Sequence, residues 1–541
     1  MKRLQKTFAM LLALIMVTAL VAVPVSADET AKTYTITISG NNSGHTFEAY
    51  QIFKGVLTGT ILTEVEWGSG VDTAKTVDGK TLIQALNELP AYADAKTASD
   101  VAGKLNGANA EAGLTFAGVV NKYLSNTKTD TGTQTGPTYE ITGLSVGYYL
   151  IKDKDGSLSG KLNESYTDFI LSLSKDTTVN PKSGHPTVEK RVSDSGLVNT
   201  YKDWVTQSIG SQVHFDITGT LTSELPTYDT YFYQFNDTMT PGLTFDAGSV
   251  SVTRIDGNNA EHVIDPACYT VVAGAYSETT GTSLTITFEN LLAATSGGNK
   301  LTINRSDKIM VHYTATLNEN SLIGLDNPDQ NKVSITYSNN PNTNDKGTTN
   351  EVDVDVYTFE LDIKKVDSMN HDKVLSGAEF ILYRTISDVT TYAKAEQNAN
   401  GVYKVSGWVA DRKDATTFVT GEDGMLKVSG LKAGGFYVEE TQAPSGYNKL
   451  TDPMAGWIQV QGDKLKSTEA GVEKVTASVG NAAVSVNAGA GVVTAVVENA
   501  GGTVLPSTGG IGTTIFYILG GFLVCGAAVL LITKKRMANN A

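Results

Sequence analysis

Phe359-Glu360-Leu361-Asp362-Ile363-Lys364-Lys365 is the stretch on which the fold turns. Apolar and charged residues alternate in it, which is the period of a β-strand with two unlike faces. Phe359, Leu361 and Ile363 share a face with Lys365, whereas Lys364 points the other way. Two later runs end alike. Phe436 and Val438 lead to Glu440, with Glu439 outside, and Val493, Ala495 and Val497 lead to Asn499. An earlier part of the chain repeats the pattern. Val188, Lys190 and Val192 share one face, and Tyr231, Tyr233, Phe235 and Asp237 another. Val333, Ile335, Tyr337 and Asn339 form a third, with Asn331 at the same parity. A lysine and a glutamate at strand edges ordinarily make a solvated ion pair. Asp237, which precedes Thr238-Met239-Thr240-Pro241-Gly242-Leu243, has the alternative of organising a turn.

Working outward, most of the chain reads as β. Short alternating runs at 34–39, 148–152, 308–317 and 333–337 are rich in Thr, Val, Ile and Tyr and are separated by Gly, Asn and Asp. Helical spacing appears around 81–89, 98–105 and 116–124. Asn180-Pro181-Lys182-Ser183-Gly184-His185-Pro186 and the polar stretch 338–350 read as connectors, the second leading into the run 352–356. The expected order is a signal peptide at 1–27, a first domain at 28–182, a second at 187–356, a third at 357–500 and a sorting segment at 505–541. The predicted class is mainly β: three tandem immunoglobulin-like sandwiches, the first with added helices. The second and third open alike, with Val188-Glu189-Lys190-Arg191-Val192 and Ile363-Lys364-Lys365-Val366-Asp367.

Both ends carry addresses. Lys2, Arg3 and Lys6 precede an apolar run from Leu11 to Val23, and Val25-Ser26-Ala27 is a small-residue cleavage site, so residues 1–27 read as a secretory signal. Leu505-Pro506-Ser507-Thr508-Gly509 precedes an apolar span at 511–533, closed by Lys534, Lys535 and Arg536. About 20 apolar residues cross a bilayer, and the basic tail holds the cytoplasmic side. Processing at both ends removes six basic and no acidic residues. That leaves 36 basic against 57 acidic, a formal charge of −21, which disfavours nucleic acid as a partner. Cys525 lies in the sorting span, so Cys268 has no disulfide partner and reads as a small buried hydrophobe. An exported chain of several domains without disulfides needs another source of resistance. Six scattered histidines suggest no metal site, and no G-x-S-x-G, H-E-x-x-H or phosphate-binding glycine motif points to an enzyme or a cofactor.

Four features resemble the backbone (major) pilins of Gram-positive sortase-assembled pili. The first is His45-Thr46-Phe47-Glu48-Ala49-Tyr50-Gln51-Ile52-Phe53-Lys54-Gly55 with Trp67-Gly68-Ser69-Gly70-Val71, and the second is Val179-Asn180-Pro181-Lys182. The third is Tyr437-Val438-Glu439-Glu440-Thr441-Gln442-Ala443-Pro444-Ser445-Gly446-Tyr447, which looks like the pilin E-box; the fourth is the LPSTG signal. The resemblance implies a row of immunoglobulin-like domains, the middle one of collagen-adhesin A type and the last of B type. It implies that a sortase cysteine attacks the Thr508 carbonyl, that Gly509 leaves, and that Lys182 of the next subunit takes the acyl group. The implied partners are a class C pilin sortase, a housekeeping sortase, identical subunits in a head-to-tail polymer, tip or minor pilins, peptidoglycan and host surface molecules.

The resemblance also implies self-formed Lys–Asn isopeptide bonds, and the residues have the chemistry for them. A neutral lysine amine must attack an asparagine amide and expel ammonia. Burial lowers a lysine pKa and raises that of a carboxyl. A protonated carboxyl then polarises the amide and moves protons, and the fold supplies proximity. Lys365 and Asn499 with Glu440 form one candidate set. Lys190 with Asp237 and either Asn339 or Asn331 form the other. Lys54 has no comparable partners in the first domain. The competing class is a wall-anchored adhesin or minor pilin that is never polymerised.

Overall fold

The structure, a computed structural model, describes residues 32–40, 44–106, 110–127, 129–181, 184–462, 475–503 and 511–538. The signal segment 1–27, Lys182 and the whole of Leu505–Gly509 lie outside the described residues.

The protein is mainly β, with a modular build in three successive stretches of chain and a C-terminal apolar helix. In the N-terminal stretch, Tyr34–Ile38 lies between Thr138–Leu144 and Thr177–Val179 in a four-stranded sheet. Phe47–Thr58 and Gly147–Asp153 are central to a five-stranded one. Helices Leu82–Asn87, Ala98–Asn106 and Ala110–Asn121 cover that second sheet around Phe53, Leu86, Tyr92, Phe116 and Leu150. Thr81 and Gln84 form a capping box that starts the first helix.

The middle stretch is a sandwich of two sheets. Val188–Ser193, Gln212–Thr220 and Lys308–Leu317 are neighbours in one, and Tyr233–Met239 lies between Thr282–Phe288 and Asp329–Ser338 in the other. Strict inward alternation explains their pairing: Phe215, Ile217, Val311 and Tyr313 from the first sheet meet Phe235, Ile286, Val333 and Ile335 from the second in one core. Cys268 sits half-buried at its border, with its sulfur 3.3 Å from the Thr295 hydroxyl.

The C-terminal stretch forms one continuous eleven-stranded sheet rather than two separate ones. It curls on itself. Phe359–Asp367 runs parallel to the last strand, Val492–Asn499, while Gly434–Gln442 comes from a distant part of the order and packs into the same core through Phe436 and Val438.

The polar stretch 338–350 differs from the connector expected. It contains the strand Lys346–Thr348, paired with Asp329–Ser338, and it receives the N-terminal stretch edge-on. Gly160 N donates to Lys346 O (2.8 Å), Asn163 N to Thr348 O (2.8 Å) and Tyr166 N to Asn339 O (2.7 Å). Its polarity is thereby spent on backbone pairing across the joint rather than on solvent.

Candidate crosslinking sites

In the C-terminal stretch Lys365 and Asn499 come from adjacent parallel strands, in which Lys365 stands opposite Val497 and Asp367 opposite Asn499. Glu440 reaches them from Gly434–Gln442. All three are buried, with 0–1% exposure. The Lys365 amine lies 3.6 Å from Glu440 Oε1 and donates to Val497 O at 3.4 Å. Glu440 Oε2 accepts from Asn499 Nδ2 (3.0 Å) and from Leu450 N (2.7 Å). Burial lowers the Lys365 amine to about 8, against the pull of Glu440 and Glu498. About a tenth is therefore the free amine at pH 7, far more than for an exposed lysine. Glu439, on the other side of the strand, makes a bidentate surface pair with Arg412 at 2.7 and 2.9 Å.

The middle set spans the two sheets of the sandwich. Lys190 comes from Val188–Ser193, and Asp237 and Asn331 from the neighbouring strands of the opposite sheet, where Asp237 faces Val333 and Met239 faces Asn331. The Lys190 amine donates to Asp237 Oδ2 and, at 3.0 Å, to Tyr313 Oη. Tyr313 Oη donates to Asp237 Oδ2 (2.8 Å) and accepts from Asn331 Nδ2 (2.7 Å). Burial pushes the Lys190 amine down and the Asp237 carboxyl up, each against the attraction of the other. Both shifts favour the neutral amine and the neutral acid, the forms that can react. Asp237 thus lies within a buried strand, not at a turn.

The two sets share a further mark. Glu440 Oε1, Asn499 Oδ1, Asp237 Oδ1 and Asn331 Oδ1 are buried with no hydrogen-bond partner. An unpaired buried polar atom costs about 1–3 kcal/mol; Asn121 Oδ1, Asp168 Oδ1 and Asn339 Oδ1 are unpartnered as well, so what sets these two groups apart is the buried lysine beside each carboxyl. A protonated carboxyl can donate to the amide oxygen after a half-turn of the amide group. That contact polarises the carbonyl for attack.

Asn339, the other acceptor considered, is not brought to Lys190. It shares the parity of Asn331 but stands eight residues further along the chain, just past the end of that strand, roughly 26 Å away. Its Nδ2 donates to Leu158 O at 2.6 Å, so it seals the joint with the N-terminal stretch. The structure brings Asn331, not Asn339, to the Lys190 set, a distinction that parity alone cannot make.

In the N-terminal stretch Lys54 is exposed and paired with Glu66 at 3.1 Å. A half-buried Asn121–Asp168 contact of 3.0 Å exists there, but the nearby Lys152 amine is held by Asp155 at 2.9 Å. The strongest polar feature is His45, whose ring nitrogens lie 2.8 Å from Asp153 Oδ1 and 2.8 Å from Glu164 Oε2. Burial opposes its charge, but the hydrogen bonds and charges of the two carboxyls outweigh it and raise the imidazole to about 9. No sequence pattern marks Tyr313 or His45 as a site residue. The first reads as core on an apolar face, and no local spacing links the second to Asp153 and Glu164.

At the C-terminus, Ile511–Ala538 is one helix, and its segment Ile515–Arg536 is long and apolar enough to cross a membrane. Residues 498–539 match the family model of the LPXTG cell wall anchor motif. The chain is a secreted protein anchored at the cell wall. Residues 359–472 match the SpaA family model, described as a prealbumin-like fold domain. The trypsin-resistant surface T6 protein of Streptococcus pyogenes serotype M6 is 26% identical over 454 residues, covering 75% of this chain and 78% of the relative. The solved T6 backbone pilin of the same serotype aligns with TM-score 0.47 and 16% identity, over 89% of this chain and 100% of that one. The major pilin SpaD of Corynebacterium diphtheriae aligns with TM-score 0.44 and 18% identity, over 88% and 99%.

Proposed function

We propose that this wall-anchored protein is the backbone subunit of a covalent pilus, and that its middle and C-terminal modules lock themselves with Lys190–Asn331 and Lys365–Asn499 isopeptide bonds. The role is structural rather than enzymatic: each bond forms once, within its own chain. The observation that carries the reading is the recurrence of one buried arrangement, lysine, carboxyl and asparagine with orphaned oxygens, in two successive modules ahead of a wall anchor.

The placement of the bonds suits a load-bearing fibre. In the proposed polymer a class C pilin sortase joins Thr508 of one subunit to Lys182 of the next, and a housekeeping sortase transfers the finished fibre to peptidoglycan. Such a head-to-tail contact propagates a filament instead of closing a dimer. Tension would enter near Lys182, cross from Lys190 to Asn331, continue to Lys365, cross to Asn499 and leave at Thr508. The residues flanking Lys182 are well tethered: Ser39 N donates to Val179 O (2.7 Å), Ser223 N to Gly184 O (3.1 Å) and Gly184 N to Ser223 Oγ (3.1 Å). Pro181 restricts the backbone before the lysine.

The test is an immunoblot of boiled, detergent-treated wall extract. A ladder of regular steps is expected, and Lys182→Ala should collapse it to wall-linked monomer. A ladder that survives the substitution assigns the linkage to another lysine. A single band from the native strain favours the non-polymerised adhesin.

A further inference from the structure

We propose that the Tyr313 hydroxyl is the proton-transfer group of the Lys190–Asn331 reaction, an inference that rests on the crosslinking read above. Tyr313 projects from Lys308–Leu317 into the middle core, fully buried, with its ring stacked on Phe215 at 5.4 Å and edge-on to Phe245 at 5.7 Å. Its hydroxyl touches every reacting group: it accepts from Lys190 Nζ (3.0 Å) and Asn331 Nδ2 (2.7 Å) and donates to Asp237 Oδ2 (2.8 Å). In the C-terminal set the asparagine Nδ2 contacts the carboxyl directly at 3.0 Å. In the middle set the same connection runs through Tyr313.

The reaction needs that connection. The Nζ–Cγ bond forms, the Cγ–Nδ2 bond breaks, and Nδ2 departs as ammonia. The attacking nitrogen gives up a proton and the leaving nitrogen must gain one. Asp237 starts as the neutral acid: it lends its proton to the amide oxygen as Nζ attacks, and the carboxylate so formed takes the proton that Nζ gives up. As the tetrahedral intermediate forms, Nδ2 becomes basic, and the hydroxyl reverses its bonds. It gives its proton to Nδ2 and receives one from Asp237, so it ends unchanged, and the proton on the former amide oxygen returns to Asp237 as the carbonyl re-forms and ammonia leaves. Burial holds the Tyr313 hydroxyl well above its ordinary pKa, which favours a concerted exchange over a free phenolate.

Tyr313→Phe removes the hydroxyl and keeps the ring. Freshly synthesised exported fragment is followed by intact mass and by mapping of the Lys190–Asn331 crosslinked peptide, with the C-terminal crosslink in the same chain as an internal clock. The middle crosslink should slow by about 10²-fold while the C-terminal one keeps its rate. An unchanged middle rate overturns the inference. So does a Tyr313→Phe protein whose middle region melts below that of Asn331→Ala, an uncrosslinked reference, because that result makes the hydroxyl a structural prop. If the native chain yields no Lys190–Asn331 peptide at all, the crosslinking reading itself fails.

Discussion

The middle and C-terminal sites hold the same three residue types in different frames. Lys365 and Asn499 stand on adjacent parallel strands of one curled sheet, so Glu440 alone has to reach across the core. Lys190 and Asn331 stand on opposite sheets and meet through Asp237 and Tyr313. The lesson is that the chemistry demands only a dry place where an amine, an acid and an amide converge. How many groups connect them depends on the sheets that carry them. The N-terminal stretch supplies the contrast: there a buried ionic clamp at His45 stands where the others place a candidate covalent bond.

The largest difference to expect is thermal. Closing a loop of more than 100 residues is worth about 4–5 kcal/mol, so losing either bond should lower that region's melting midpoint by roughly 10 °C or more. Asp237→Ala should cost more than Glu440→Ala, because besides the lysine's carboxyl partner it removes the acceptor of the buried Tyr313 hydroxyl. Calorimetry on the two variants makes the comparison, and equal small shifts would mean that neither bond forms.

Next in size is the pH dependence of bond formation. The Lys365 amine titrates at about 8, so the C-terminal crosslinking rate in newly made chain should climb with pH and level off above that value. The same shift has a stability counterpart in Asn499→Ala, which keeps the lysine but cannot react. Its folded amine binds protons more weakly than the unfolded chain, so stability should rise as pH increases from about 8 towards the ordinary lysine value near 10.4. A rate flat across that range contradicts a free-amine nucleophile.

The smallest effect belongs to the ionic clamp. The folded pKa of His45 is about 9, above the unfolded value near 6.5. Its contribution is complete below the unfolded value and is lost as pH rises through 9. The N-terminal melting transition should weaken over that range, and His45→Gln should flatten the dependence while leaving both crosslinks in place.

Much of this was legible in the sequence because strand parity is a backbone property. Lys365, Glu440 and Asn499 each extend an apolar face, and the pleat turns those faces into one core. Parity repeats every two residues, however, so it could not separate Asn331 from Asn339. That choice needs the register of Tyr233–Met239 against Asp329–Ser338, which side chains far apart in the chain decide. Tyr313 was invisible for a related reason, since a tyrosine on an apolar face of 308–317 packs its ring like any core residue and only the partners of its hydroxyl reveal a role. The polar stretch 338–350 reads as a linker because its backbone partners, residues 160–166, lie in another part of the chain.

The central claim is that two lysine–asparagine bonds form within one chain. The intact mass of the exported fragment, residues 28–508, tests it most directly. The account predicts a mass below the sequence value by two molecules of ammonia, with one restored by Glu440→Ala and the other by Asp237→Ala. A mass equal to that of the sequence would contradict it.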